Sequence, residues 1–465
     1  MTPKATRSAV VTFRRNVSKV TVAASSIYEY LYSLIAAEIE SIVRWYDKSF
    51  FVKNSFATHS WLLNSLQAGL KEGQPQEIDK SDLPDLSEEY GRRHALILNG
   101  DLNHSTDIQG LLDELSPRLS RTSRLLVVTY NPYYCWIFAL ANRFGLRSSP
   151  APTSFPTRSA LENVAKLCRF EVVRIRPAGY FPFRLLGLGD AVNRWMAIIP
   201  LFRWLALFSV VVLRPIKPES KRLPSLSVLV AARNEKGNMR ALLSRLPEIC
   251  PDMELIVVEG HSNDGTWEEL RHEIANHNRP FRILAAQQKG VGKVDAIRLA
   301  AEMATKDLMV ILDADLTVPP EDLARFYKAY CDGLGDFING SRLVYPMEKH
   351  AMFFLNWLGN IFFAKSLSIV LDSGITDSLC GTKLFSKTDY ARMIAWRKSF
   401  GDFDPFGDFE LLFPASQMAL GLCDLPVRYL ARTYGSTNIS RFRHGYMLLR
   451  MTLIGLNNIT SGKTK

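Results

Sequence analysis

Four short apolar segments in the second half of the chain each run into polar or acidic residues, and helix-like segments separate them. They read SLSVLVAARNE from Ser225, MELIVVEGHSND from Met253, FRILAA from Phe281 and DLMVILDAD from Asp307. Strands that alternate with helices predict a parallel sheet, and such sheets bind ligands at the carboxyl ends of their strands. The sequence therefore predicts an α/β domain whose functional residues follow its strands.

A second alternation of strands and helices lies earlier in the chain, before a proline-rich, charged linker. Its strand-like runs begin at His94, Ser123, Phe170 and Phe208. Because prolines and charges of this kind mark a boundary, we expect two Rossmann-like α/β domains. The predicted division is a helical or irregular region 1–92, a partial Rossmann domain 93–216, a linker 217–224, a ligand-binding α/β domain 225–440 and an amphipathic tail 441–465.

The composition narrows the class of partner. The 465 residues include 57 Lys and Arg against 46 Asp and Glu, a net charge of +11 that favours phosphates, acidic lipid surfaces or nucleic acid. Since no aromatic and basic recognition module stands out, we do not expect nucleic-acid binding. Six widely spaced cysteines without a CxxC pair argue against zinc and a disulfide framework, and with no export signal they indicate a cytoplasmic protein.

Three hydrophobic stretches begin at Met196, Ala351 and Gly445. Each is interrupted by polar residues or is shorter than the roughly 20 apolar residues of a membrane span, so we expect none of them to cross a bilayer. Two readings stay open for such stretches: amphipathic core helices, or segments that lie flat on a membrane. The second reading would make the protein peripheral at the inner face of the membrane.

Asp313 and Asp315 follow the apolar run LMVIL directly. Carboxylates at positions i and i+2 of an extended segment project the same way, and a cation has to compensate their repulsion. Oxygen ligands of this kind suit Mg²⁺ or Mn²⁺. The alternative is a solvated acidic turn, but the position at the end of a buried strand favours the metal site.

In order along the chain, SVLVAARNE, VVEGHSNDGT, KGVGK and DAD resemble the motifs of family 2 glycosyltransferases with the GT-A fold, from Ser225 to about Ser440. The resemblance implies an inverting enzyme with a UDP- or GDP-linked sugar donor and a divalent cation on Asp313 and Asp315. It implies these donor-site residues: Asn234, Glu235, Glu259, Asp264, Lys289, Lys293 and Asp313. Gly260 departs from the family, which often has a second aspartate there. Helix capping by Asp264 and simple solvation of the two lysines are the alternatives.

Later segments, DFINGSRLVYP, DSLCGTKLF and VRYLARTYGSTN, resemble dolichyl-phosphate mannose synthases and related polyprenyl-phosphate glycosyltransferases. A lipid phosphate is already an oxyanion at neutral pH and needs only cations to hold it. A hydroxyl acceptor needs a base instead, and Asp408 or Glu410 could supply one, although Asp408 could equally cap a helix. The resemblance implies an acceptor site formed by Arg342, Lys383, Arg432 and Ser436.

The order of elements from His94 to Pro215 resembles the C-terminal half of class I S-adenosylmethionine-dependent methyltransferases. No glycine-rich cofactor turn precedes the first of these strands, so we expect a degenerate, non-catalytic domain. The whole sequence thus predicts a metal-dependent inverting glycosyltransferase that acts on a lipid-linked phosphate or on an envelope or polysaccharide acceptor. The alternative is a non-catalytic binding or assembly subunit built from two enzyme-derived domains.

Overall fold

The computed structural model describes residues 26–54, 60–87, 91–144, 150–219, 222–346, 354–400, 407–435 and 441–459. The chain forms two compact units, residues 1–215 and 216–465. Each unit has its own sheet of mostly parallel strands with helices between them, which confirms the predicted α/β class.

The described part of the first unit contains a six-stranded sheet in the order β2-β1-β3-β4-β6-β5. Its strands are β1 (Lys48–Val52), β2 (Gln76–Ile78), β3 (His94–Asn99), β4 (Arg124–Tyr130), β5 (Phe170–Ala178) and β6 (Phe208–Pro215). Its helices are α1 (residues 26–43), α2 (Trp61–Gly69), α3 (Asp101–His104), α4 (Ile108–Leu115), α5 (Cys135–Arg143), α6 (Arg158–Leu167) and α7 (Leu188–Ile198). Strand β6 runs antiparallel to both β4 and β5.

The domain boundary that the sequence predicts between residues 92 and 93 falls inside this unit. Strand β1 pairs in parallel with β3, Lys48 facing His94, and β2 adds to the edge beside β1. Both strands are short, and the alternation that marks a strand is missing: four consecutive residues of β1 are buried, and β2 has only three residues. The sequence pattern therefore predicts a helical or irregular region where these two strands lie. The likeness to a methyltransferase half stays a prediction.

The described part of the second unit contains a seven-stranded sheet in the order β13-β11-β12-β10-β7-β8-β9. Its strands are β7 (Leu226–Ala232), β8 (Met253–Glu259), β9 (Arg282–Gln287), β10 (Leu308–Asp313), β11 (Phe337–Ser341), β12 (Lys383–Ser386) and β13 (Leu422–Pro426). Its helices are α8 (Lys236–Arg245), α9 (Thr266–Asn276), α10 (Lys293–Met303), α11 (Leu323–Cys331), α12 (Phe354–Leu371), α13 (Lys387–Phe400), α14 (Phe409–Gln417) and α15 (Arg441–Ile459). Strand β12 is antiparallel to β10 and β11, and the other pairings are parallel.

The central parallel strands of this unit, β7, β8 and β10, are almost entirely buried, as their unbroken apolar runs predict. All seven residues of β8 are buried, for example. The register brings the carboxyl ends of three strands to one edge, because Asp313 of β10 lies opposite Ala231 of β7 and Ala232 lies opposite Glu259 of β8. The polar residues that follow these strands are thus neighbours.

The three hydrophobic stretches have different structures. The stretch from Met196 contains the end of α7, a short 3₁₀ helix (Pro200–Leu205) and most of β6. The other two coincide with α12 and α15, and α15 packs so closely that a Cβ on Gly455 would lie 2.7 Å from the Phe413 ring of α14. None of the helices in the described residues has the length and apolar character needed to cross a bilayer.

Candidate active site

The acidic pair lies at the carboxyl end of β10, but its geometry differs from the extended segment assumed from sequence. Strand β10 ends at Asp313, and the amide of Leu316 donates to the Asp313 carbonyl oxygen at 3.2 Å, which closes a turn. Asp315 therefore lies in a turn and not on a pleated strand. The prediction that both carboxylates project the same way from an extended segment was wrong in this respect.

Asp313 is paired with Lys293 at the start of α10. Burial raises the pKa of Asp313, but the Lys293 ammonium outweighs it, with smaller effects from Lys383 and Arg342, so that the pKa lies below its usual range. Burial lowers the pKa of Lys293, and Asp313 and Asp408 more than reverse this, so that the lysine stays charged. The KGVGK loop and the DAD turn thus meet through one ion pair.

Asp315 is held by groups from two other segments. One carboxylate oxygen accepts from the amide and hydroxyl of Thr317, at 3.1 and 2.8 Å, and the other accepts from the Arg432 guanidinium at 2.6 Å. The same guanidinium lies 3.6 Å from a carboxylate oxygen of Glu235. Arg432 therefore joins the turn after β10 to the loop after β7.

Glu235 is the buried carboxylate of this cluster. It accepts a hydrogen bond from the Asn238 side chain at 2.6 Å. Burial raises its pKa to about 7, and the nearby charges of Asp315 and Asp264 add to the rise, although Asn238 and Arg432 oppose it. Burial is therefore the main reason that the pKa of Glu235 is raised.

This raised pKa predicts a pH-dependent stability difference between the wild-type protein and Glu235→Gln. An acid whose folded-state pKa exceeds its ordinary value of 4.5 stabilises the fold fully below that value, and this contribution is lost as pH rises through about 7. Glutamine cannot ionise, so between about pH 5 and pH 8 the variant should gain about 2.5 kcal/mol relative to wild type. Urea unfolding with a chelator present measures this difference.

Glu321→Gln provides a control of opposite sign. The Arg245 hydrogen bonds lower the pKa of Glu321, so this variant should lose stability relative to wild type as pH rises through the acidic range. A Glu235→Gln difference that is the same at both pH values would contradict the buried, charge-crowded environment described for Glu235.

The loops after β7 and β8 are bonded to one another. Asn234 has a left-handed backbone (φ 57°), a conformation that asparagine tolerates better than most residues. Its amide donates to the Ser262 hydroxyl at 2.9 Å, and its side-chain oxygen accepts from the Asn263 amide at 3.0 Å. Glu259 is buried and accepts from the Ser262 amide and the Gln287 side chain, and these hydrogen bonds outweigh burial and lower its pKa.

Asp264 lies beside these loops, and its contacts resemble the capping role named as the alternative. One oxygen accepts from the amide and hydroxyl of Thr266, at 3.0 and 2.5 Å, at the start of α9. The other accepts from the Lys236 amide at 3.2 Å and from the Tyr434 hydroxyl at 3.1 Å. These bonds lower the pKa of Asp264 against the effect of burial. Lys289 is exposed in the loop before α10.

Gly381 shows how tightly the GTK segment fits against the turn that contains Asp313 and Asp315. A Cβ at this position would lie 2.3 Å from a carboxylate oxygen of Asp313 and 2.6 Å from the Lys293 nitrogen. Strand β12 begins two residues later, with Lys383 opposite Ile311 of β10. The glycine therefore lets the GTK segment pass directly beside the Asp313–Lys293 pair.

The cations assigned to an acceptor phosphate each contact a carboxylate. Arg342 makes a two-bond fork with Asp377, at 2.7 and 2.9 Å. Lys383 has no exposed side-chain surface and donates to Asp408 at 2.5 Å and to the Cys380 carbonyl. Arg432 keeps 30% of its side chain exposed, the largest share of the three. Of these cations, it is the best placed to meet an anionic ligand. Ser436 lies outside the described residues.

The two candidate bases have different surroundings. Asp408 directly precedes α14, but its side chain makes no hydrogen bond to the helix amides, so its carboxylate serves the Lys383 pair instead of a cap. Glu410 is held by two arginines, with oxygens 2.6 Å from Arg298 of α10 and 3.3 Å from Arg397 of α13. That arrangement indicates a structural brace for Glu410.

Sequence reasoning missed the partners of these groups. Asp377 was part of the quoted segment DSLCGTKLF, but its role as the partner of Arg342 was not predicted. Arg298 and Arg397 lie on helices where isolated arginines look like solvated surface residues. Tyr434, which donates to Asp264, belongs to the same quoted segment as Arg432. Its position two residues after Arg432 in the sequence could have suggested that it lies near the site.

Comparisons with known proteins identify the class of domain that carries this site. Residues 227–393 match the family described as Glycosyl transferase family 2. A low-salt glycan biosynthesis hexosyltransferase of Haloferax volcanii is 26% identical over 50% of this chain and 54% of its own length. A dolichyl-phosphate hexose transferase of the same organism is 26% identical over 47% of this chain and 89% of its own. The chain thus spans about half the length of the first of these relatives.

A solved structure is also similar. Glucosyl-3-phosphoglycerate synthase from Mycobacterium tuberculosis, in complex with Mn²⁺, UDP and its product, shares 16% identity with a TM-score of 0.37, over 51% of this chain and 81% of that chain. The family match confirms the prediction of an enzyme. The second unit of this chain therefore contains a domain that matches family 2 glycosyltransferases over residues 227–393.

Proposed function

We propose that the second unit transfers a glycosyl group from a UDP- or GDP-linked sugar to a polyprenyl phosphate, with inversion at the sugar carbon and with Mg²⁺ or Mn²⁺ held by Asp313 and Asp315. The observation that carries the proposal is the charged cluster at the strand ends. In it, Arg432 bonds Asp315 and lies beside Glu235, and Lys293 bonds Asp313.

The donor set fits a divalent cation. Aspartate oxygens are the ligands that Mg²⁺ and Mn²⁺ prefer. A bound cation would oppose the effect of Asp315 and Asp264, which add to the raised pKa of Glu235. When bound, the cation would neutralise charge on the diphosphate leaving group. Lys293, which pairs with Asp313 here, could then turn to the diphosphate oxygens.

A lipid phosphate as acceptor is supported by the name of the dolichyl-phosphate hexose transferase among the relatives. Such an acceptor already carries a negative oxygen at neutral pH and requires no base. Arg432, the most exposed of the three assigned cations, is the candidate contact for its phosphate. Lys383 would be a positioning residue, because its ammonium group holds the carboxylate of Asp408 in place.

The test is transfer of labelled sugar from a panel of UDP- and GDP-sugars to dolichyl or undecaprenyl phosphate, with Mn²⁺, with Mg²⁺ and with excess chelator. We expect one donor to give labelled lipid with either metal and turnover to fall to background after chelation. Transfer that persists in chelator would contradict the metal site. No transfer and no hydrolysis of any donor would favour the non-catalytic assembly subunit instead.

A further inference from the structure

Two segments of the first unit, residues 132–144 and 180–205, expose many apolar side chains; we call them together the aromatic face. Of the 26 large apolar side chains that are exposed in the described part of the chain, 13 lie here. They are Tyr133, Trp136, Ile137, Leu140, Phe144, Phe183, Leu185, Leu186, Leu188, Trp195, Ile199, Leu201 and Trp204. Large exposed apolar surfaces mark interaction sites.

The two segments form one surface. The rings of Tyr133 and Trp204 meet edge to face, with centroids 5.8 Å apart. The Tyr134 hydroxyl donates to the Leu205 carbonyl at 2.9 Å, and the Asn131 side chain donates to the Trp204 carbonyl at 2.7 Å. These contacts fix the start of α5 against the 3₁₀ helix that follows α7.

Helix α5 lacks the buried stripe that a surface helix normally has, since none of its residues is buried. Its Phe138 ring stacks on Tyr130 of β4, with centroids 4.9 Å apart, and this contact attaches the helix to the sheet. Trp136 and Leu140, two residues to either side of Phe138, are exposed. The apolar side of α5 therefore points away from the fold and is available to a partner.

The segment just before α7 exposes two leucines whose backbone conformation is strained. Leu185 and Leu186 both have left-handed φ angles, 37° and 53°, which bulky residues rarely adopt, and the exposed fraction of Leu186 is 110%. Asn193 of α7 secures the approach to this loop, because its side-chain oxygen accepts from the amides of Tyr180 and Phe181. Backbone strain of this kind clusters at functional sites.

The charges of the aromatic face are almost all positive. Residues 132–144 and 180–205 contain four arginines and one aspartate, a net charge of +3. The aspartate, Asp190, accepts a hydrogen bond from the Tyr30 hydroxyl at 2.8 Å. A complementary partner would offer an anionic surface to the arginines and an apolar layer beneath that surface to the apolar side chains.

We propose that the aromatic face docks the first unit onto an anionic bilayer surface, with the Leu185–Leu186 tip in the acyl region and the exposed Arg143 and Arg184 at the headgroups. Tryptophan and tyrosine prefer this interface, and arginines beside them bind anionic lipid. A leucine that protrudes completely suits a medium it can penetrate, whereas a protein partner would need a matching pocket. The proposal does not depend on the proposed donor chemistry, because its test reads binding and not turnover.

Flotation of the full chain with vesicles tests the proposal. We expect binding to phosphatidylcholine vesicles that contain phosphatidylglycerol to be about 10²-fold tighter than to phosphatidylcholine alone, and to weaken with salt. The double variant Leu186→Glu/Trp195→Glu should lose at least about tenfold in affinity, because it places charge where apolar side chains insert. Leu167→Glu, on α6 outside the aromatic face and also exposed, is the matched control and should bind as wild type does.

Three results would overturn the proposal. They are no vesicle binding, binding that the double variant leaves unchanged, and binding equally reduced in Leu167→Glu. A dimer in solution that the double variant dissociates, without vesicle binding, would assign the face to a second copy of the chain. Circular dichroism of each variant checks that the fold is retained, and both changed residues are exposed enough for this to be expected.

Discussion

Asp313→Asn is expected to lower metal-dependent transfer from the sugar nucleotide by about 10²- to 10³-fold, the loss typical when one preorganised electrostatic contact to a developing charge is removed. The change keeps the shape of the side chain and removes the charge that would hold the cation. Asp315→Asn should have a comparable effect, because its carboxylate also anchors Arg432 at 2.6 Å. Initial rates over a range of Mn²⁺ concentrations measure both losses.

The metal titration separates a ligand from a merely structural aspartate. If Asp313 binds the cation, the variant should need more Mn²⁺ for half-maximal rate, in addition to its lower maximum. Asp332→Asn is the matched control, since Asp332 is an exposed carboxylate paired with Lys328 on α11. Wild-type rates in Asp313→Asn would remove the basis for the metal site, whatever the control shows.

The sheet edge that carries the candidate site could be predicted from the sequence, whereas the side-chain partners of its residues could not. Apolar strands that end in Glu259 and Asp313, or that Asn234 follows closely, were visible in the sequence, and parallel pairing brings such ends to one edge. The partner of Asp315, however, is Arg432, 117 residues away. Which cation meets which carboxylate depends on how loops pack in three dimensions, and no local pattern records that.

The same limit explains why the sequence did not predict the carboxylate partners of the proposed acceptor cations. A basic residue in a motif looks available for a phosphate, and only the fold reveals that Lys383 is fully buried against Asp408. In the first unit, the short strands β1 and β2 were missed because they have too few residues to show a period. Element type was predictable where the apolar run was long, as in β8 and β10.

The Arg342–Asp377 pair is expected to contribute strongly to the stability of the second unit. Asp377 has no exposed side-chain surface, and Arg342 has 12%. Burial raises the pKa of Asp377, but Arg342 and the amides of Arg342 and Leu379 lower it below its usual range. Removing one partner of such a pair leaves a buried charge alone, so Asp377→Asn or Arg342→Met should each cost about 3–5 kcal/mol in the free energy of unfolding.

The double variant Arg342→Met/Asp377→Asn distinguishes charge pairing from packing. Asparagine keeps one of the two oxygens that accept from the backbone amides of Arg342 and Leu379, and both buried charges disappear together. Its cost should therefore be far below the sum of the two single costs, a coupling that urea unfolding of all four proteins measures. Glu321→Gln breaks the same two-bond fork with Arg245 at the surface and should cost less than about 1 kcal/mol. Additive costs in the cycle would instead mean that Arg342 does not depend on Asp377 and is available to a phosphate, as the sequence resemblance implied.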